Sequence, residues 1–340
     1  MLRKAILTGM LLAAAVAGGC GGGGFSPGDD DLVVYSGREE ELIGPLIERF
    51  EEQGDIDVAV RYANSAELAA TLAEEGGNSP ADVFWAQDPG SLGAVENEGL
   101  LARLPAEVLD RVPERLRDPD GRWVGISGRV RVIAYNTDKV NEADVPDTID
   151  DVSDPRWRGK VGIAPPNASF QAFVSAMRLE RGDDATRAWL DAVNENDPRF
   201  YENNIAILEA LAEGEIELGL VNHYYLSLVK AENPDAPVAN HFLRPGDVGA
   251  LVSVAGAAVV DGTEKAEQAQ EFVEFLLSQE GQRFYAEEAE EAEYPLIEGV
   301  EPREGLPPLD TLRGPDIPLD RLGSELESTL ELLNDAGYTT

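Results

Sequence analysis

At 340 residues the chain has material for one large or two medium domains, and an apolar share of 43% marks it as globular rather than disordered. Its 65 acidic residues against 27 basic ones give a formal charge of −38, a surface that repels nucleic acid and anionic lipid and stays solvated at high salt. A single cysteine, Cys20, excludes an intrachain disulfide framework and a thiolate metal cluster.

In chain order, residues 1–20, MLRKAILTGMLLAAAVAGGC, join a basic start at Arg3 and Lys4 to an apolar run ending at Ala17. That run is too short to span a bilayer and suits a signal-peptide core. Its AGGC ending is similar to the lipobox of bacterial lipoproteins, with Ala17 where Leu is usual, which makes Cys20 the candidate lipidation site. Residues 21–30 read as a flexible tether. The expected product is exported and either lipid-anchored to the outer face of the cell membrane or periplasmic, touching a membrane only through that anchor.

Next comes DLVVYSG (31–37), a short apolar run ending in Ser-Gly, the pattern of a buried strand entering a turn. Apolar residues at 42, 43, 46, 47 and 50 then repeat at helical spacing until Gly54. DIDVAVRYA and ADVFWAQ read as strands, with SAELAATLAEEGG and PGSLGAVENEGLL as the helices after them. Such alternation implies parallel strands joined by crossover helices. Two long strand-like runs, RVRVIAYNT (129–137) and SVAGAAVV (253–260), bracket a middle block with its own alternation. That block holds KVGIAPP, helices over 169–180, 184–195 and 204–213, then LGLVNHYY and VANHFL. One long helix is expected over 264–289 and a last one near 319–336; the acidic runs AEEAEEAE (286–293) and ELESTLELLND read as solvated helix faces.

The pattern is α/β throughout: two lobes, 31–130 with 255–305 and 131–254 with 306–340, joined by two crossings of the chain. A cleft between such lobes, outside the carboxyl ends of the strands, is where ligands bind. Polar turns fall at those ends: Tyr35 to Glu39, Gln87-Asp88, Pro166 to Ser169, and Asn222-His223-Tyr224-Tyr225. Side chains on a strand alternate faces, so Tyr224 and Tyr225 meet one ligand only if the strand breaks into a turn there. Taken alone, the pair also fits one core and one surface aromatic at a strand end.

In order, the segments VVYSGREEEL, SPADVFWAQDPGSLGAVENEGLL, WVGISGRVRVIAYN, DPRWRGKVGIAPPNASF, NNIAILEALAEGEIELGLVNHYY and EFVEFLLSQEGQRFYAE resemble the extracellular solute-binding proteins of bacterial ABC importers, in the ferric-iron-binding branch. The resemblance spans nearly the whole chain after Cys20. It implies a type II periplasmic-binding-protein fold with a two-strand hinge that closes on Fe3+ with a synergistic anion such as carbonate or phosphate. It also implies delivery, by a monomer, to an ABC permease with its cytoplasmic ATPase. On this resemblance Tyr224 and Tyr225 are metal ligands, and Asn167, Ala168 and Ser169 form the anion turn, with Asn204 and Asn222 beside it. The position of a family His or Tyr falls in Arg38-Glu39-Glu40, and that of a family Glu on Gln87. The pattern is therefore altered on that side, with Glu39 as a candidate oxygen ligand. Arg129 and Arg131 balance the anion.

Phenolate oxygen suits a hard trivalent cation, and ligation requires the metal to displace a proton that ordinarily leaves near pH 10. His223, between Asn222 and the pair, points away if the tyrosines converge; His241 reads as a satisfied surface histidine. Two other readings remain: a receptor of the same fold for an organic or oxyanion solute such as a polyamine, thiamine or a phosphonate, and a secreted hydrolase using Glu39 and Asp88. The shortage of cleft aromatics beyond Trp85 and the tyrosines argues against a stacked ring. No nucleophile elbow, P-loop, HExxH or dinucleotide fingerprint is present, so an enzyme is not expected.

Overall fold

The computed structural model describes residues 25, 27–54 and 56–338; the signal segment and Cys20 lie outside them. Strands β1 (Leu32–Ser36), β2 (Val58–Tyr62) and β3 (Val83–Ala86) alternate with helices α1 (Glu40–Gln53), α2 (Ser65–Glu75) and α3 (Pro89–Asn97). All five residues of β1 are buried, as a continuous apolar run demands when helices cover both sheet faces. Helix α1 buries Ile43, Leu46, Ile47 and Phe50, the stripe read from its spacing. Asn64 caps α2 and Asp88 caps α3, each side-chain oxygen accepting from a backbone N–H of the first turn.

After the short helix α4 (Ala106–Leu109), strand β4 (Val124–Asn136) runs unbroken through both lobes. Residues from Val124 to Val130 pair antiparallel with β9 (Val252–Val259), and Arg131 to Tyr135 pair with β7 (Leu218–Asn222). One strand therefore belongs to two half-sheets, and β4 with β9 forms the double connection expected between lobes. The sequence placed the start of β4 five residues late, because Gly125 and Gly128 disguise it. Gly125 is needed there: a Cβ would lie 2.5 Å from the Leu116 carbonyl, and the ladder bulges between Gly125 and Ser127.

The first half-sheet has the order β2-β1-β3-β9-β4; the second continues β7, β5 (Val161–Ile163) and β6 (Arg199–Phe200), with β8 (Val238–His241) also on β4. Helices α5 (Ala168–Arg181), α6 (Asp183–Asn194), α7 (Asn204–Ala212) and α8 (Tyr225–Glu232) complete the second lobe.

Two expected helices are broken. The run over 264–289 divides into α9 (Ala266–Leu276), α10 (Gln279–Arg283) and a π turn at Phe284–Glu288. Ser278 caps a new start, and Gly281 packs so tightly on Phe275 that a Cβ would sit 2.6 Å from its carbonyl oxygen. The chain then turns through Ala292 at φ 48° into β10 (Tyr294–Pro295), which pairs with β4. The last helix divides into α11 (Arg321–Ser324) and α12 (Leu326–Asp335). Helix α11 packs on α3 while α12 packs on α5, so the segment expected with the second lobe touches both.

Candidate functional site: an interlobe cleft with paired phenols

Between the lobes lies a cleft of about 1100 Å³. It is lined by the first turns of α1, α3 and α5, the end of β7, Arg129 and Arg131 of β4, and Glu291. The cleft also collects Leu322 and Leu326 of the C-terminal crossing and Tyr62 at the end of β2, none of which the sequence reading singled out.

Strand β7 ends at Asn222, and Tyr224 already has helical torsions (φ −69°, ψ −24°) as it leads into α8. The alternation of strand faces is abandoned at that point. Both rings turn to one side, their centroids 4.3 Å apart at 30°. Tyr224 is 3% exposed, whereas Tyr225 is half-buried at the cleft. Burial pushes the Tyr224 phenol well above its ordinary value; Arg129, 5.8 Å from its ring centroid, pulls it back, while Tyr225 and Glu291 push it further up. His223 points away from the cleft. Its Nδ1 accepts from the Val130 N–H at 3.2 Å, which leaves the proton on Nε2 to donate to the Ala292 carbonyl at 3.2 Å. Burial pulls its pKa down to about 4, and the neutral ring acts as a buried clamp. His241 contacts Asp147 at 2.9 Å, away from the cleft lining.

Asn167 caps α5 and lines the cleft. Its Oδ1 accepts from the Ser169 N–H at 3.0 Å, from Ser169 Oγ at 2.6 Å and from Asn204 Nδ2 at 3.1 Å. Ser169 Oγ also receives Arg131 Nη1 at 3.1 Å. Arg131 is buried, lies 5.2 Å from the Phe173 ring centroid, and has no carboxylate partner among the described residues; its Nη2 makes no hydrogen bond. Burial without a counter-ion pulls its pKa down to about 9, a strong demand for negative charge. Ala168 and Asn222 complete this wall. Thus Asn167, Ala168, Ser169, Asn204, Asn222 and Arg131 gather at one place, on the same side as the tyrosines.

Arg38 and Arg129 do something else. Arg38 donates from Nη1 to Gln87 Oε1 at 2.7 Å and from Nη2 to Glu293 Oε2 at 2.8 Å, and Arg129 pairs with Glu293 at 3.1 Å. Arg38 is engaged by protein oxygens, Gln87 among them, whereas Arg129 faces Glu293 with its Nε and Nη2 making no hydrogen bond; both also line the cleft. Ser127 Oγ donates to Glu293 at 2.7 Å, and the whole knot is buried. Burial alone would raise the Glu293 pKa; Arg38 and Arg129 override it and hold the carboxyl well below its usual range. Glu291 goes the other way, raised by burial and by the charge of Glu293.

The run AEEAEEAE is therefore not a solvated helix face throughout: Glu291 and Glu293, on either side of the positive-φ Ala292, turn inward. The missed signal was the alternation Glu-Ala-Glu directly before Tyr294-Pro295. Trp85, expected in the cleft, is wholly buried against Phe272 at 5.9 Å. Asp88 spends both oxygens on Ser91, at 2.8 and 2.9 Å, as a helix cap, while Glu39 lies exposed on the cleft rim. No pair of activated acid and base arises from them.

The profile of the bacterial extracellular solute-binding proteins matches residues 78–311. The major ferric iron-binding protein of Neisseria meningitidis serogroup B is 34% identical over 313 residues, covering 90% of this chain and 92% of that one. The crystal structure of iron-bound HitA from Pseudomonas aeruginosa superposes with a TM-score of 0.80 at 34% identity, over 90% of this chain and 99% of the other. A Trichodesmium structure (IdiA, FutA) in complex with iron and citrate ligands gives 0.81 at 27% identity, over 91% of this chain and 100% of the other.

Proposed function

Since this chain belongs to the bacterial extracellular solute-binding proteins, we propose that it captures ferric iron in the interlobe cleft and hands it to an ABC permease driven by a cytoplasmic ATPase. The observation that carries the reading is the pair of phenols, 4.3 Å between centroids, turned into the cleft beside a buried arginine that has no carboxylate partner among the described residues. Binding at neutral pH releases the phenol protons as two tyrosinate oxygens take the cation. The iron-binding relatives named above support the cargo.

Charge supports a synergistic anion. The buried guanidinium groups of Arg38 and Arg129 face the carboxylates of Glu291 and Glu293, leaving Arg131 unbalanced. Two phenolates leave one positive charge on Fe3+. A carbonate, phosphate or citrate held by Arg131, Ser169 and the first turn of α5 offsets both; the iron and citrate complex of the Trichodesmium relative supports such a partner. Closure of the lobes about β4 and β9 forms the species the permease reads. Export through residues 1–20, lipidation at Cys20 and action as a monomer belong to the same proposal.

Equilibrium dialysis of the metal-free protein against ferric citrate, in parallel with spermidine, thiamine and methylphosphonate, tests the cargo. One equivalent of iron retained, and none of the organic solutes, is expected. Retention of an organic solute or of the phosphonate without iron would transfer the reading to the oxyanion side of the cleft.

A further inference from the structure

Among the oxygen-bearing side chains that line the cleft on the first-lobe side are Glu39, Gln87 and Glu291, the last beside Arg38. Their situations differ. The oxygen of Gln87 is taken by Arg38 Nη1 at 2.7 Å. Glu39 stands at the rim, exposed at the entry to α1, with no side-chain capping bond to fix it. A carboxylate placed there must shed its water and its rotamer freedom before it ligates anything.

Glu291 is already ordered and largely desolvated, its side chain 20% exposed. The turn that carries it is pinned from behind, because His223 donates to the carbonyl of Ala292. That bond ties Glu291 to the same strand end that presents the tyrosines. Its neighbour Glu293 has both oxygens engaged by Arg38, Arg129 and Ser127. Glu291 has one long contact only, from Oε2 to Arg38 Nη2 at 3.4 Å, well beyond a charge-assisted hydrogen bond. Its Oε1 has no hydrogen-bond partner among the described residues, and the side chain lines the cleft close enough for its charge to act on Tyr224. Glu293 thus takes most of the contacts of the arginines, and Glu291 keeps an oxygen with no hydrogen-bond partner at the cleft lining.

We propose that Glu291, held between Arg38 and the turn pinned by His223, is the carboxylate ligand that joins Tyr224 and Tyr225 on the cation, in place of the more obvious Glu39. The assignment rests on the ferric reading above. Its carboxylate oxygen donates to the hard cation, and any proton it carries leaves to solvent with those of the phenols.

Ferric nitrilotriacetate titrated into wild type, Glu291→Gln, Glu39→Gln and Glu290→Gln, followed by the tyrosinate-to-iron absorption band and by citrate competition, tests it. Wild type colours. Glu291→Gln is expected to bind about 10- to 100-fold more weakly, with its band moved to longer wavelength because a neutral amide donates less charge to the metal. Glu290→Gln, an exposed neighbour that loses the same charge, is expected to overlay wild type. Glu291→Asp keeps the charge beside Arg38 but withdraws the oxygen by one methylene; weaker binding here supports the assignment even where the Gln variant folds poorly. Glu291 variants that overlay wild type, or a shift carried by Glu39→Gln instead, overturn it and leave the tyrosine reading standing. A colourless wild type overturns both.

Discussion

Tyr224 and Tyr225 come to one side of the cleft because β7 ends at Asn222. Removing either hydroxyl as Phe keeps the ring packing, so folding should survive while the charge-transfer band and at least about 100-fold of iron affinity are lost, read by competition with citrate. Proton competition gives a sign: burial raises the Tyr224 phenol, so metal must displace its proton throughout the neutral range. Affinity should fall by up to about ten-fold per released proton for each pH unit between about pH 7 and pH 5, measured by dialysis. Arg131 predicts a trade. Arg131→Met removes a buried charge that lacks a carboxylate partner among the described residues, and should stabilise the metal-free protein by about 1–2 kcal/mol in urea titrations. The same change should weaken iron binding and abolish its dependence on added carbonate. The tyrosines were legible because two adjacent phenols at a strand end are conspicuous. Glu291 and Glu293 were not, because glutamates in a helix-forming run look solvated until a positive-φ alanine turns them inward.

Among the elements, the seam between α3 and α11 is the place where strand and helix periodicities gave least warning. Gly90 and Gly323 meet there, and a Cβ on Gly323 would lie 2.6 Å from the Gly90 backbone. Gly323→Ala should destabilise the fold by about 1–3 kcal/mol, seen as a lower urea midpoint. Beside that seam Glu96 is raised to about 7, by burial first and then by Asp118 and Asp320. Its folded pKa exceeds the unfolded one, so its contribution is present below about pH 4.5 and is lost as pH rises through about 7. Glu96→Gln should remove that part of the fall in melting temperature on going from acid to neutral pH, with little effect at acid pH. The half-sheets themselves were readable from apolar runs. The break in the run over 264–289 was not, because Ser278 and Gly281 mark it only once Gly281 is known to pack on Phe275.

At the scale of the whole molecule, β4 is shared by both half-sheets, and the C-terminal segment adds a third crossing that lines the same cleft with Leu322 and Leu326. Cargo that binds both walls draws the lobes together, and binding to the native state alone raises its melting temperature. The central claim, that one ferric ion sits between the paired phenols and the opposite wall, is tested most directly by an anomalous difference map at the iron edge from crystals grown with iron and carbonate. The account predicts a single strong peak within coordinating distance of both phenol oxygens and of one Glu291 oxygen, with an anion against Arg131. A peak elsewhere in the cleft, out of reach of Tyr224 and Tyr225, would contradict it.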